Sequence, residues 1–225
     1  KTYNLVMRSF DYTNTYFDFY FFTGLYNYYR EAYPEAYPVY KAFAILFPRG
    51  NKAKGLNELK LAAKNALFLK AEACTFLTGI YISFENNYPA ALVYSKWLHE
   101  QYPQNHQFMA SFIKNLLLTK RYVEAEKFIE QNNGGSVNSY FSFQKKIFKG
   151  IILEKKYNNL PQAEKLYYDA IKNADEFGNY ANEYVAYAYF GLSRIMKEYG
   201  KEKLSRNYYK KAMELAAFKN VNFNE

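Results

Sequence analysis

Cys74, His99 and His106 are the Cys and His residues of the chain, the side chains that could begin a zinc site, and Cys74 could also be a nucleophile. A tetrahedral zinc site needs four donors, so carboxylates would have to complete one here. His99 and His106 stand seven apart and straddle Pro103, which interrupts the helix that would otherwise align them. Cys74 lies between Ala73 and Phe76 in an apolar helical stretch, the setting of a buried structural thiol and not of an activated one. Glu124 and Glu126 are two positions apart, a helical spacing that points them away from each other and makes no acid–base pair. Glu183, near a helix start, complements the helix dipole. The chain has no GxSxG, no glycine-rich phosphate loop and no HExxH, each of which would place a nucleophile, a phosphate or a zinc ion. The expectation is a non-enzymatic protein with no catalytic residue, cofactor or metal.

The elements that carry these residues are helical. Apolar residues make up 50% of the 225, with Gly at 10 and Pro at 6, a balance that supports a sizeable core and favours helices over many-turned β structure. Aromatics reach 21%, with 26 Tyr and 20 Phe; such rings bury large areas, and the Tyr hydroxyl tolerates a wet edge. In QAEKLYYDAIKNA, Ala163, Leu166, Tyr167, Ala170, Ile171 and Ala174 form one stripe, with Lys165, Asp169 and Lys172 opposite. Gly, Asn and Pro punctuate the chain at short intervals. The pattern predicts an all-α fold of about 11 helices, at 13–32, 35–47, 53–69, 71–86, 88–102, 105–119, 121–132, 137–157, 160–177, 180–199 and 201–218. NNGGS (132–136) reads as a turn between helices of one array. The most apolar run, FYFFTGLYNYY (19–29), is eleven residues against the roughly twenty needed to cross a bilayer, so no transmembrane segment is expected. One Cys excludes an internal disulfide and is compatible with cytoplasm or periplasm. The chain begins at Lys1 and not Met, as a fragment or a processed form would, loss of a signal peptide being one such processing.

A longer period runs through residues 70–218. Ala91, Ala125, Ala163 and Ser205 open successive second helices at steps of 34, 38 and 42. Gly79, Gly150 and Gly191 precede three of them, and Ile113 takes that place in the other copy. Tyr167 and Ala170 follow Ala163 as Tyr209 and Ala212 follow Ser205, and Pro103 stands twelve beyond Ala91. This pattern resembles the tetratricopeptide repeat, a helix–turn–helix unit of about 34 residues. Thr75 at the family's Trp position and Ser95 at an aromatic one depart from it. The N-terminal stretches GLYNYY, FPRG and TGIY are similar to bacterial tetratricopeptide-type proteins of the Bacteroidetes, a resemblance that carries over no catalytic residue.

The resemblance implies a right-handed helical-repeat solenoid of antiparallel helix pairs. It would be one array over 1–225, with aromatic-rich N-terminal helices in 1–50, repeat pairs in 51–218 and a tail at 219–225. Small residues such as Gly79 and Ala91 would let paired helices approach closely. In the last helix Leu204, Tyr208, Ala212, Leu215 and Phe218 share one face, the pattern of a terminal cap after which the tail contributes little.

The family's first helices line a concave groove. By resemblance the groove positions are Phe76, Ile80, Ser83 and Phe84; Ala110, Lys114 and Leu117; Ile147, Ile151 and Glu154; and Ala188, Leu192 and Ile195. They are mostly apolar, and the Lys/Asn/Arg clamp of chaperone-binding members is absent. The same positions also suit core packing between helices, because one residue of register separates the two. The implied function is a scaffold binding an unidentified protein or peptide. The alternative is a basic module binding an acidic polymer such as nucleic acid. Net charge is +9, and residues 41–70 hold Lys41, Arg49, Lys52, Lys54, Lys60, Lys64 and Lys70 against Glu58, with Lys145, Lys146 and Lys149 further on. No Arg-rich tract or RNA-reading repeat code accompanies them, and scattered Lys is ordinarily a solvated face.

Overall fold

The computed structural model describes residues 2–131, 138–218 and 220–223. Among these the chain is all-α: twelve α-helices and three short 3-10 segments, with no β-strand. Contacts divide it into two compact units, Lys1–Gln101 and Tyr102–Glu225. The boundary falls at Tyr102-Pro103, where the sequence predicts a break between helices of a single array; this polar, Pro-bearing stretch has the composition of a unit boundary.

The first unit holds α1 (Thr2–Ser9), α2 (Phe19–Ala36), α3 (Lys41–Ala44), α4 (Lys52–Asn65), α5 (Lys70–Ser83) and α6 (Tyr88–Gln101). Helix α1 was not expected. Helix α2 runs through the expected break at Pro34, because a Pro in the last turn forfeits one hydrogen bond and does not stop the two residues that follow. The expected 35–47 helix shrinks to a 3-10 turn at Pro38–Tyr40 and the single turn of α3. Helix α2 packs on α4 with almost no space between backbones. A Cβ on Gly55 would stand 2.4 Å from the Tyr28 nitrogen and 2.7 Å from the Gly24 oxygen, so both glycines are required by that approach. Tyr28, Leu59, Leu77, Ile80 and Ala91 are fully buried there. The Tyr28 hydroxyl donates to Glu85, and Lys52 bridges Glu85 and Glu35 at 3.2 Å each.

The second unit holds α7 (His106–Leu118), α8 (Tyr122–Gln131), α9 (Ser139–Lys155), α10 (Leu160–Lys172), α11 (Asn182–Glu198) and α12 (Glu202–Leu215). Helix α7 packs on α8 and α9, α9 on α10 and α11, and α11 on α12. The expected 160–177 helix ends at Lys172 and is followed by a 3-10 segment, Ala174–Ala181, in which Gly178 takes φ +53°. The expected turn at 132–136 lies outside the described residues.

One local device recurs. Asn86, Lys120, Asn158 and Gly200 have positive φ, from 51° to 70°. They close α5, α7, α9 and α11. After each, the next residue donates back into the preceding helix at 2.8 Å: Asn87 to Tyr81, Arg121 to Leu116, Asn159 to Leu153 and Lys201 to Met196. This is the hydrogen-bonded left-handed cap that ends a helix and reverses the chain. Positions 86, 120, 158 and 200 each precede 91, 125, 163 and 205 by the same interval, and Ala91, Ala125, Ala163 and Ser205 are all buried. Four helical hairpins, α5/α6, α7/α8, α9/α10 and α11/α12, thus share one turn geometry and one buried small residue.

The glycines do not behave alike. Gly79 is exposed, and a Cβ there would meet nothing within 4 Å, so its expected role in close helix approach is not realised. Gly150 and Gly191 instead flank the ring of Tyr167. A Cβ on Gly150 would lie 2.7 Å from that ring and one on Gly191 2.3 Å. The residues after Phe218 also differ from expectation. Val221 and Phe223 are buried, Phe223 packs edge-on against Tyr187 at 5.0 Å, and Arg194 donates to the Asn222 carbonyl at 2.7 Å. On α12 the buried residues are Ser205 and Ala212, whereas Leu204 is exposed. Tyr208, Leu215 and Phe218 are half-buried, so the stripe read in the sequence faces inward except at Leu204, and Ser205 joins it.

Candidate functional site

A cleft of about 490 Å3 opens in the second unit between α7, α9 and α11. Asn105 and Asn138 start the first two of these helices by accepting from backbone N–H groups, of Gln107 and Phe108 in α7 and of Phe141 in α9. Such Asn caps satisfy orphan donors and set where the first turn begins. Helix α7 then presents Gln107, Ser111 and Lys114 at helical spacing, α9 presents Tyr140 and Gln144, and α11 presents Glu183 and Tyr184. Tyr180 joins them from the preceding 3-10 segment, where its carbonyl accepts from the Tyr140 hydroxyl at 2.6 Å.

Charge in the cleft is balanced. Lys114 Nζ lies 3.1 Å from Glu183 Oε1, and the Tyr187 hydroxyl donates to the same oxygen. Burial would raise the Glu183 pKa; the Lys114 ammonium and the Tyr187 hydroxyl overcome this and hold it below the ordinary carboxylate value. Tyr184 is buried, and burial together with the Glu183 charge pushes its hydroxyl well above the usual range, so it stays a donor. His106 stacks on Phe141 at 5.2 Å. The wall is an alternation of aromatic faces, amides and hydroxyls around one neutralised ion pair. It has the donors and acceptors to bind a polar chain in extended form.

The groove positions read from the sequence are placed otherwise. Ile80, Ala110, Leu117, Ile147, Ile151, Glu154, Ala188, Leu192 and Ile195 are buried. Ser83 and Phe84 are half-buried, and Phe76 is exposed. Of these residues Lys114 lines the cleft. The reason is physical: a repeat pattern locates the apolar face, and helices bury that face against each other. The cleft wall is the polar flank toward the N-terminal ends, where Tyr140 and Gln144 continue the stripe of Ile147 and Ile151. It carries no motif, so its residues were missed.

Glu154 forms a separate structural knot. It accepts from the buried Tyr167 hydroxyl at 2.8 Å and from Arg194 Nη2 at 2.9 Å, and Lys155 lies 3.7 Å away. A polar depression of about 700 Å3 borders Glu154 and Arg194, but their charges satisfy each other.

The other chemically capable residues are engaged or buried. Burial pushes the Cys74 thiol up to about 12, against the pull of Lys70, so it is protonated at neutral pH. Glu124 pairs with Arg121, and Glu126 with Lys156 and Tyr157. Burial lowers the His99 pKa. Lys52 and Lys54 are in ion pairs, Lys70 sits over the Trp97 ring at 5.3 Å, and Lys145 is buried against Phe141. Of the cations of 41–70, Lys41, Arg49, Lys60 and Lys64 are exposed. Among the described residues no cluster of three or more His, Cys, Asp or Glu could hold a metal, and no helix is long and apolar enough to cross a membrane.

No family model, curated protein or solved structure matches the chain.

Proposed function

We propose that the chain is a tetratricopeptide-like protein that works by binding a protein or peptide segment and not by catalysis. On this reading each of the four hairpins is one repeat, and the three in the second unit stack as a right-handed helical-repeat array. The recurring left-handed turns and the buried small residues at 91, 125, 163 and 205 support it. The observation that carries the binding role is the cleft formed by α7, α9 and α11. Its wall differs from the apolar groove expected: amides and Tyr hydroxyls suit the backbone of an extended peptide, whose own amides need partners once water is excluded. The balanced Lys114–Glu183 pair favours a segment of low net charge, since an unpaired charge on the ligand would find no partner. The acidic-polymer alternative has less behind it: of the cations of 41–70, Lys52, Lys54 and Lys70 are engaged within the fold.

The test is a panel of fluorescent peptides of about 12 residues, long enough to span a few helix diameters, with net charge from negative to positive, titrated by anisotropy. A Ser111→Arg variant fills the cleft from a half-buried wall position. We expect near-neutral peptides to bind and Ser111→Arg to weaken them by at least about tenfold with an unchanged melting midpoint. Equal binding by the variant, or a preference for polyanionic peptides and oligonucleotides, would refute the assignment.

A further inference from the structure

A different surface, in the first unit, has its own logic. Residues 39–47 link α2 to α4, and almost every apolar side chain there faces solvent. Val39 is 73% exposed, Phe43 61%, Ile45 82% and Leu46 76%. Behind them Tyr29, Tyr33 and Pro34 of α2 floor a shallow apolar recess of about 400 Å3. The segment is fastened to α2 at several points. Tyr26 donates to the Pro48 carbonyl at 2.8 Å, Arg30 to the Phe47 carbonyl at 3.1 Å, and the Gly50 N–H to Glu31 at 3.0 Å. Phe47 also packs on Tyr3. A contiguous apolar surface held out by such fastenings marks an interaction site.

We propose that this edge docks on the surface of an anionic lipid bilayer. Charge selects that occupant. From Ala36 to Asn57 the chain has Lys41, Arg49, Lys52 and Lys54 and no Asp or Glu. Lys52 and Lys54 are paired internally, while Lys41 and Arg49 are exposed beside the apolar tips. The nearby carboxylates are themselves engaged, Glu31 by Arg30 and the Gly50 N–H and Glu35 by Lys52. Aliphatic and Phe tips, a rim of Tyr33 and Tyr40, and flanking cations match the layers of a membrane interface: acyl chains, the headgroup level favoured by aromatic rings, and anionic headgroups. A second copy of the chain fits less well. Two-fold pairing through this edge would set Lys41 and Arg49 of one copy against the same cations of the other. The segment would lie on the bilayer without spanning it.

The experiment is co-sedimentation of the full chain with phosphatidylcholine vesicles, with or without about 30% phosphatidylserine. The variants are Ile45→Ser/Leu46→Ser, Lys41→Glu/Arg49→Glu and, as a second apolar probe, Val39→Ser. The wild type should bind the anionic vesicles and be released by salt. The apolar double variant should lose at least about tenfold in partitioning, and the charge-reversed one should lose its preference for anionic lipid, both with unchanged melting midpoints. Should the double variant fail to fold, Val39→Ser carries the apolar arm and should still weaken binding. Wild type that stays in the supernatant overturns the proposal. So does equal partitioning of the folded variants, or a sedimentation-equilibrium dimer that Val39→Ser dissociates, which would make the edge a contact between copies.

Discussion

Tyr167 concentrates much of what one residue can do in this chain. Its ring fills the gap between Gly150 on α9 and Gly191 on α11, and its hydroxyl ends on Glu154, which holds Arg194. A methyl added at either glycine would meet a buried ring with nowhere to move. Gly191→Ala and Gly150→Ala should each cost about 1–3 kcal/mol through overpacking. Gly79→Ala should go the other way. That glycine is exposed inside α5 with free space around it, so Ala gains helix propensity, about 1 kcal/mol at most. Thermal or urea melts of the three variants check this. Equal midpoints for Gly79→Ala and Gly191→Ala would show that the Tyr167 contact is not as tight as drawn.

At the scale of elements, the Asn-Asn pairs show how helices are joined. Asn86 and Asn158 adopt the left-handed conformation that ends a helix. Asn87 and Asn159 then accept from N–H groups of the next helix, those of Ala90 and Gln162. One dipeptide thus stops one helix and starts another, using the two properties that set Asn apart. The C-terminal segment acts at the same scale. Because Val221 and Phe223 are buried and Asn222 receives Arg194, ending the chain at residue 219 should remove roughly 2–4 kcal/mol of stability, where the cap pattern of α12 alone implies no loss. Denaturant titration of the shortened chain measures it, and an unchanged midpoint would mean that the segment does not pack as described.

At the scale of the molecule, acid should unfold both units, each through its own carboxylates. In the first unit, burial would raise Asp18, but the N–H groups of Leu67, Leu69 and Phe68 hold its pKa below the ordinary value. In the second, Lys156 and Tyr157 lower Glu126 against burial, and Lys114 and Tyr187 lower Glu183. A carboxylate with a depressed folded-state pKa contributes stability that is fully present above its unfolded pKa and is lost as pH falls through the folded value. The melting midpoint should therefore be level near neutrality and drop below about pH 4.5. Glu183→Gln and Asp18→Asn should each flatten that drop while lowering the midpoint at pH 7. Variants that follow the wild-type acid profile would show that these groups are not what acid protonates.

The helices and their punctuation follow from local sequence. Start and stop signals act within a few residues, so α4 to α12 fall close to where period, Asn, Gly and Pro put them. The positions of Ala91, Ala125, Ala163 and Ser205 already carried the interval at which the left-handed turns recur. The remaining features depend on partners remote in the chain. Lys114 meets Glu183, Glu154 meets Arg194, and Tyr28 meets Glu85. Gly24 and Gly55 bring two backbones together, while a Cβ on Gly79 would meet nothing within 4 Å. A helical stripe announces that a face is apolar. Whether that face becomes core, as at Ile147 and Ile151, or stays open, as at Ile45 and Leu46, is set by which element arrives opposite it, and no local pattern encodes that arrival.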